Sequence, residues 1–302
     1  MLLVDDAFDP KRALENAKSL VDEKGVAALF GFVGTAAAGA VLPYVAEKRV
    51  PLIAVLSGSP ALRTQHHPYF FTTTASYADE VARMVRNLKA VGSTDIAIVY
   101  QNAEFNRPTL AVAEKVIREE GAKVTASRPL EANGADAVAV AQGLAALRPH
   151  AVIMIASGPS ATTYVKAHRA HLGVPIYTSS VSIGSSGLKA LGDDARGLAI
   201  SQVIPYPWRA TTPLARDFNL EMEKLGKPVD YDHFAGYINA RVLIAGLRAA
   251  GKQITPVSLK EGMEKLSKLD VGGHTFSYSP DNHHGTNFVE ITVVGPNGNF
   301  IR

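Results

Sequence analysis

One stretch of the sequence, residues 26–62, constrains the fold more than any other, because it predicts a strand, a helix and a second strand in succession. Two short apolar runs, Val26 to Phe30 and Pro51 to Leu56, flank a helical segment of small residues, and each run ends in a loop of Gly, Ser or Thr. In such a unit the strands pair in parallel, and both loops leave the sheet at its carboxyl edge, where open α/β folds bind ligands. The stretch therefore predicts an α/β fold with a ligand site at these two loops.

The chemistry of the two loops suits a small anion. The first loop, Gly31 to Thr35, leads directly into a helix start, whose backbone N–H groups lack intrahelical partners and carry the positive end of the helix dipole. The second loop, Ser57 to Pro60, offers two hydroxyls and a glycine that lets a ligand approach the backbone. A plainer interpretation stays open, in which Gly34, Thr35 and the second loop supply only turn and cap chemistry.

The rest of the chain predicts the same alternation a second time. Further strands with helices between them are expected at Ile96 to Tyr100, Lys123 to Ser127, Ala151 to Ala156 and Leu198 to Ile204. The Pro205-Tyr206-Pro207 segment then predicts a connection between two bodies, because proline cannot continue the interior of a sheet. At the amino terminus, Met1 to Val4 predicts the end of a strand.

Composition excludes several classes of function. A chain of 302 residues is long enough for two domains, and 47% hydrophobic with 20% charged residues is typical of a globular protein. The net charge of +3 is spread without a dense basic block, so no nucleic-acid partner is expected. The absence of cysteine excludes thiol nucleophiles and Cys-ligated zinc. No apolar run approaches the roughly 20 residues of a transmembrane helix.

The sequence shows no catalytic motif. It lacks G-x-G-x-x-G after a strand, G-x-x-x-x-G-K, G-x-S-x-G and H-E-x-x-H, so we expect neither an enzyme nor a cofactor. His66-His67 and His283-His284 are predicted in polar turns, while His168 and His171 lie three apart on one helix face, a spacing that can bind a metal. Because no third ligand is in view, surface or cap histidines are favoured over a metal site.

Several short segments carry more information through their order than each carries alone. They are Asp5-Asp6 with Asp9-Pro10 and the Ala-rich helix that follows, Gly31 with its small-residue loop, Pro51-Leu52-Ile53, Pro60-Ala61-Leu62, Phe71-Thr72-Thr73, Ile96 to Tyr100 and the terminal Asn297-Gly298 turn. In this order, which spans the whole chain, they resemble the leucine/isoleucine/valine-binding protein family, the type I periplasmic solute-binding proteins of ABC transporters.

The resemblance implies two doubly wound parallel-sheet lobes joined by a hinge of three crossings, near Thr72 to Ser76, Ile204 to Pro207 and Ser277 to Asp281. Residues 1–74 and 207–277 would form lobe 1, and residues 75–206 and 278–302 would form lobe 2. A solute is then trapped between the lobes as they close, and nothing is chemically transformed.

The same resemblance implies a function, a location and partners. It implies a periplasmic monomer that captures a small molecule for an ABC importer and delivers it to the importer's permease. A ligand-sensing receptor or regulatory module is the alternative, because the same two-lobed body serves as an effector domain. A repressor would also need a basic helix-turn-helix segment, which the sequence lacks.

The resemblance also places the binding residues. In lobe 1 the carboxylate loops fall on Gly34, Thr35 and Ala36 and on Leu56, Ser57 and Gly58. In lobe 2 the matching positions are Phe105, Ser157, Gly158 and Ser180. Tyr206 and Trp208 either line the mouth of the cleft or belong to a core, and Arg107 and Arg209 either pair with a carboxylate or are solvated.

The chain departs from the amino-acid binders in one place. Those proteins hold the ligand's ammonium group with an acidic residue where this chain has Ser179-Ser180-Val181. A buried ammonium without a carboxylate partner is costly, so we expect a small, partly apolar carboxylate that lacks the α-amino group. A branched-chain or other neutral amino acid is the alternative, with Glu104 as the substitute acid.

A second departure concerns the amino terminus. Family members usually begin with a signal peptide, a first strand and a first helix ahead of the Asp-Asp segment, and the sequence has no match to them. We therefore expect a truncated or late-started chain.

Overall fold

The computed structural model describes the backbone of all 302 residues and every side chain except that of Phe105. The chain forms two compact units and crosses between them three times. Unit 1 comprises Met1–Ala75 and Ile204–Phe288, and unit 2 comprises Ser76–Val203 and Val289–Arg302.

The third crossing follows Phe288, later than the expected lobe boundary after residue 277. Packing within unit 1 explains the position. The ring of His283 stacks on Phe71 with 3.9 Å between centroids, and Tyr278 donates a hydrogen bond of 2.9 Å to the carbonyl of Thr72. The segment after residue 277 is therefore bound to the third strand of unit 1.

The elements follow one another in the order that the sequence predicts, with additions. The helices are α1 Pro10–Lys18, α2 Thr35–Lys48, α3 Tyr77–Ala90, α4 Arg107–Glu119, α5 Ala137–Ala145, α6 Gly158–His171, α7 Ser185–Leu191, α8 Pro213–Leu225, α9 Tyr231–Ala250 and α10 Pro256–Glu264. The strands are β1 Leu29–Phe30, β2 Leu52–Ile53, β3 Phe70–Phe71, β4 Asp95–Gln101, β5 Lys123–Leu130, β6 Ala151–Ile155, β7 Ile176–Thr178, β8 Ala199–Gln202, β9 Leu269–Asp270, β10 Thr275–Phe276, β11 Glu290–Val294 and β12 Phe300–Ile301.

Unit 1 contains a parallel sheet in the order β1-β2-β3, which confirms the predicted strand, helix, strand unit. Successive residues of the strands face opposite sides. Leu52 and Phe70 pack in the core with α1 and α2, whereas Ile53 and Phe71 pack in the core with α8, α9 and α10. The expected strand at Met1 to Val4 is absent, and these four residues are exposed.

Unit 2 is built on a sheet in the order β12-β11-β8-β7-β6-β4-β5, parallel from β8 to β5 and antiparallel at β11 and β12. Ile96 and Ile98 face a core shared with α3 and α4, and Ala97 and Val99 face a core shared with α5 and α6. This is a doubly wound fold, and the strand order reverses between β4 and β6. Ligands of such sheets bind at the carboxyl ends of the strands beside this reversal.

Local signals set the helix ends. Asp9 caps α1 by accepting the amide of Arg12 at 2.8 Å, and Ser76 with Asp79 forms a capping box at the start of α3. The Ser- and Gly-rich segment 178–186 predicts only a loop, but α7 begins within it at Ser185. Among the helices that the structure describes, none has both the length and the apolar character that crossing a membrane requires.

Candidate functional site

The two predicted loops of unit 1 lie side by side at the carboxyl ends of β1 and β2. The amide of Leu56 donates to the carbonyl of Phe32 at 2.8 Å, and the amide of Gly34 donates to the carbonyl of Leu56 at 3.2 Å. The parallel pairing of the strands thus continues into the loops. It brings Gly34, Thr35 and Ala36 next to the second loop, which contains Leu56, Ser57 and Gly58.

Two hydroxyls meet where the loops join. Thr35 Oγ1 lies 2.9 Å from Ser57 Oγ, and Ser57 Oγ also accepts the amide of Ser59 at 3.2 Å. Whichever hydroxyl donates to the other, one O–H group of the pair is left to donate to a further acceptor. Ser57 is buried and Thr35 is half-buried, so that donor is held in a fixed place.

The start of α2 adds backbone donors. Gly34 occupies the cap position with φ +95°, and no side chain caps the helix. Within the described part of the chain, the amides of Thr35, Ala36 and Ala37 have no hydrogen-bond acceptor. Such amides point along the positive end of the helix dipole and favour a carboxylate.

The plainer interpretation of these loops is correct in part, because Gly34 occupies the cap position of α2 and Ser57 Oγ accepts the amide of Ser59 within its own turn. The Ser59 side chain accepts the amide of Ala61 at 3.3 Å and begins the short turn Pro60–Leu62. Ser59 therefore acts as a cap, whereas Thr35 and Ser57 are joined to each other rather than to a helix end.

Arg63 anchors the second loop by hydrogen bonds to backbone carbonyls. The sequence does not predict this role. The Arg63 Nη2 atom donates to the carbonyl of Ser57 at 3.1 Å and to the carbonyl of Thr74 at 3.0 Å. The guanidinium group brings a permanent positive charge to the backbone of the hydroxyl loop. Nothing in the sequence marks it except its place one residue after Pro60-Ala61-Leu62.

Unit 2 places its predicted residues after two neighbouring strands. Ser157 and Gly158 follow β6, and Ser180 follows β7, which pairs in parallel with β6. Ser157 and Gly158 are exposed at the start of α6, where Gly158 has φ +62° and no side chain caps the helix. Both loops therefore leave the same edge of the sheet.

A carboxylate from another element lies at the Ser180 loop. Glu80 Oε2 accepts the amide of Ser180 at 2.9 Å and the hydroxyl of Ser201. Glu80 is only 1% exposed, and the nearby Ser180 Oγ is a buried oxygen without a hydrogen-bond partner. The sequence does not distinguish Glu80, because an acidic residue in the first turn of α3 is also what a helix start predicts.

The remaining candidates are placed as follows. Phe105 lies in the turn Glu104–Asn106 before α4, and its side chain is outside the described residues. Glu104, the substitute acid, is exposed, as are Arg107 and Arg209. In unit 1, Trp208 lies 5.0 Å from Tyr206 and 5.3 Å from Tyr231 between ring centroids, so these aromatic rings pack on one another.

Two histidines expected at the surface are buried. His168 lies on the buried face of α6 with Nε2 2.9 Å from the carbonyl of Val174, and burial lowers its pKa. His283 lies with Nε2 3.0 Å from a Glu264 oxygen, and burial likewise lowers its pKa although Glu264 opposes the shift. Among the described residues, no three His, Asp or Glu side chains form a group that could hold a metal ion.

Comparisons with known proteins agree with this architecture. The model of a family described as periplasmic binding protein matches residues 1–299. No curated protein matches the chain significantly.

Three solved structures are similar over almost the whole chain. A possible leucine/isoleucine/valine-binding protein from Rhodopirellula baltica is 24% identical with a TM-score of 0.89, covering 99% of this chain and 84% of that one. A substrate-binding periplasmic protein from Ralstonia solanacearum is 27% identical with a TM-score of 0.86, covering 98% and 86%. A branched chain amino acid ABC transporter protein from Thermus thermophilus, with bound valine, is 19% identical with a TM-score of 0.85, covering 99% and 83%.

Proposed function

Because the chain belongs to the periplasmic binding protein family, we propose that it is the solute-binding component of an ABC importer and that its solute is a small carboxylate with an apolar side chain. The solute is either a neutral amino acid of the branched-chain type or the corresponding acid without an amino group. The proposal includes a periplasmic location, an ABC permease as partner and no catalysis.

The pair of hydroxyls at the uncapped start of α2 is the observation that carries the proposal. Thr35 Oγ1 and Ser57 Oγ lie 2.9 Å apart, and together they leave one O–H donor beside the backbone amides of Thr35, Ala36 and Ala37. A carboxylate has two oxygens that accept several hydrogen bonds, so it can use the hydroxyl and the amides at once. The positive charge of Arg63, which donates to the carbonyl of Ser57, favours the same ligand.

The loop after β7 supports the amino acid as one form of the solute. The sequence 179–181 has no acidic residue, but Glu80 brings a carboxylate to the amide of Ser180 at 2.9 Å. The reason for expecting a ligand without an ammonium group is therefore weaker than the sequence alone indicates. The Thermus thermophilus protein holds valine, and the similarity in fold extends that ligand class to this chain as a proposal.

Calorimetric titration tests the proposal. The purified chain is titrated with leucine, valine and isocaproate, the deaminated analogue of leucine, with glucose as the uncharged control. We expect saturable one-to-one binding of at least one of the three carboxylates and none of glucose. A chain that melts cooperatively and yet binds none of the three contradicts the proposal. Binding of leucine without isocaproate would assign a role to the ammonium group.

A further inference from the structure

Phe8, in unit 1, is an exposed aromatic residue that the chain holds in an unfavourable backbone conformation. The residue is 74% exposed. Its φ is +59°, and the preceding Ala7 has φ +51°, so two successive residues with side chains occupy the left-handed region. Strained backbone of this kind clusters at functional sites, where the surrounding structure maintains it.

Polar contacts, rather than burial of the ring, hold Phe8 in place. The amide of Ala7 donates to Asp5 Oδ1 at 2.9 Å, and the amide of Phe8 donates to Asp6 Oδ1 at 2.9 Å. Asn16 Nδ2 fixes the same segment by donating to the carbonyl of Asp5 at 3.1 Å. The backbone is thus locked while most of the ring surface stays in contact with water.

The covered part of the ring lies on Gly34. A Cβ atom built on Gly34 would be 3.7 Å from Phe8 Cδ1 and 4.0 Å from Phe8 Cε1. Gly34 directly precedes Thr35, the first residue of α2, so the ring lies next to the uncapped amides and the hydroxyl pair. The lack of a side chain at Gly34 lets the ring approach the helix start without another group between them.

We propose that Phe8 is a specificity residue of the solute site, whose ring covers the apolar side chain of a carboxylate bound at the start of α2. The inference rests on the proposed function. It adds that the solute must carry an apolar group close to its carboxylate, because the ring lies within about one residue of the amides. Short acids without such a group gain nothing from Phe8.

Phe8→Gly is the informative variant, because it removes the ring's contact with the ligand without destabilising the fold. Glycine adopts a positive φ without strain, so the melting temperature is expected to stay equal or rise. The affinity for leucine or isocaproate, whichever the wild type binds, is expected to fall about 10-fold through lost apolar contact. The affinity for the shorter analogue, alanine in place of leucine or propionate in place of isocaproate, is expected to fall much less. The preference for the longer ligand therefore decreases.

Two further variants complete the experiment. Phe8→Leu keeps an apolar side chain and is expected to retain most of the preference. Leu220→Ala removes another exposed apolar side chain of the same unit, on α8, and is expected to change nothing. Unchanged affinities in Phe8→Gly overturn the inference. So does an equal loss for long and short ligands together with a lower melting temperature, because the ring then acts through the fold. If the wild type binds none of leucine, valine and isocaproate, the proposed function fails and this inference fails with it.

Discussion

Replacing Thr35 by valine tests the proposed carboxylate site with little damage to the fold. Valine has nearly the shape of threonine and a similar helix propensity, so the substitution removes only the hydroxyl. Thr35 Oγ1 contacts Ser57 Oγ at 2.9 Å, and Ser57 Oγ keeps the amide of Ser59 at 3.2 Å. No backbone amide loses its partner, and the expected loss of stability is about 1 kcal/mol, the net value of one hydrogen bond.

The expected loss of affinity in Thr35→Val is larger than the loss of stability. In the proposed site the donor is the half-buried Thr35 hydroxyl, because Ser57 is buried and a ligand reaches Thr35 first. Hydrogen bonds to charged groups contribute about 1.5–3 kcal/mol. Since every 1.4 kcal/mol is about tenfold, the dissociation constant should rise roughly 10- to 150-fold. Titration calorimetry with leucine and isocaproate measures it, and Thr35→Ser is the matched control that keeps the hydroxyl. Wild-type affinity in Thr35→Val would refute the assignment of this site.

Three further variants have expected outcomes. Arg63→Met removes the donor to the Ser57 carbonyl, and both the melting temperature and the affinity for a carboxylate should fall. Glu80→Gln should weaken leucine binding more than isocaproate binding, measured by calorimetry, if the Ser180 loop takes the ammonium group. Burial lowers the pKa of His274 to about 4. Below about pH 6.5 the unfolded chain therefore binds a proton at His274 that the folded chain does not bind. The free energy of unfolding should fall by ~3 kcal/mol as the pH falls from 6.5 towards 4. Denaturant unfolding at several pH values should show a flatter acid dependence in His274→Phe than in the wild type; parallel curves contradict this.

The part of the site that the sequence predicts is the part made by neighbouring segments of one α/β unit. Two apolar runs, a small-residue helix and two polar loops are enough to place Thr35 and Ser57 together, because parallel pairing brings both loops to one edge. Doubly wound architecture follows from the same alternation in the second half of the chain.

The part that the sequence does not predict consists of buried charged and polar residues that reach a loop from elsewhere. Glu80 and Ser180 are 100 positions apart, and each fits a local explanation, a helix start and a turn. His283 is buried because it stacks on Phe71, more than two hundred residues earlier in the chain. Periodicity and turn chemistry report only local preferences, so contacts of this kind need the folded chain.

Each set of predicted hydroxyls is held by a charged side chain from outside its own loop, and the two charges differ in sign. The Arg63 guanidinium donates to the carbonyl of Ser57, whereas the Glu80 carboxylate accepts the amide of Ser180. A cation at the carbonyl of Ser57 favours an anionic ligand group beside this loop. An anion at the amide of Ser180 favours a cationic or hydrogen-bond-donating group beside that loop. Leucine carries an ammonium group, whereas its deaminated analogue isocaproate does not. The comparison of leucine with isocaproate in the wild type and in Glu80→Gln therefore measures directly whether unit 2 recognises the ammonium group: equal losses for the two ligands would mean that Glu80 acts only by supporting the loop.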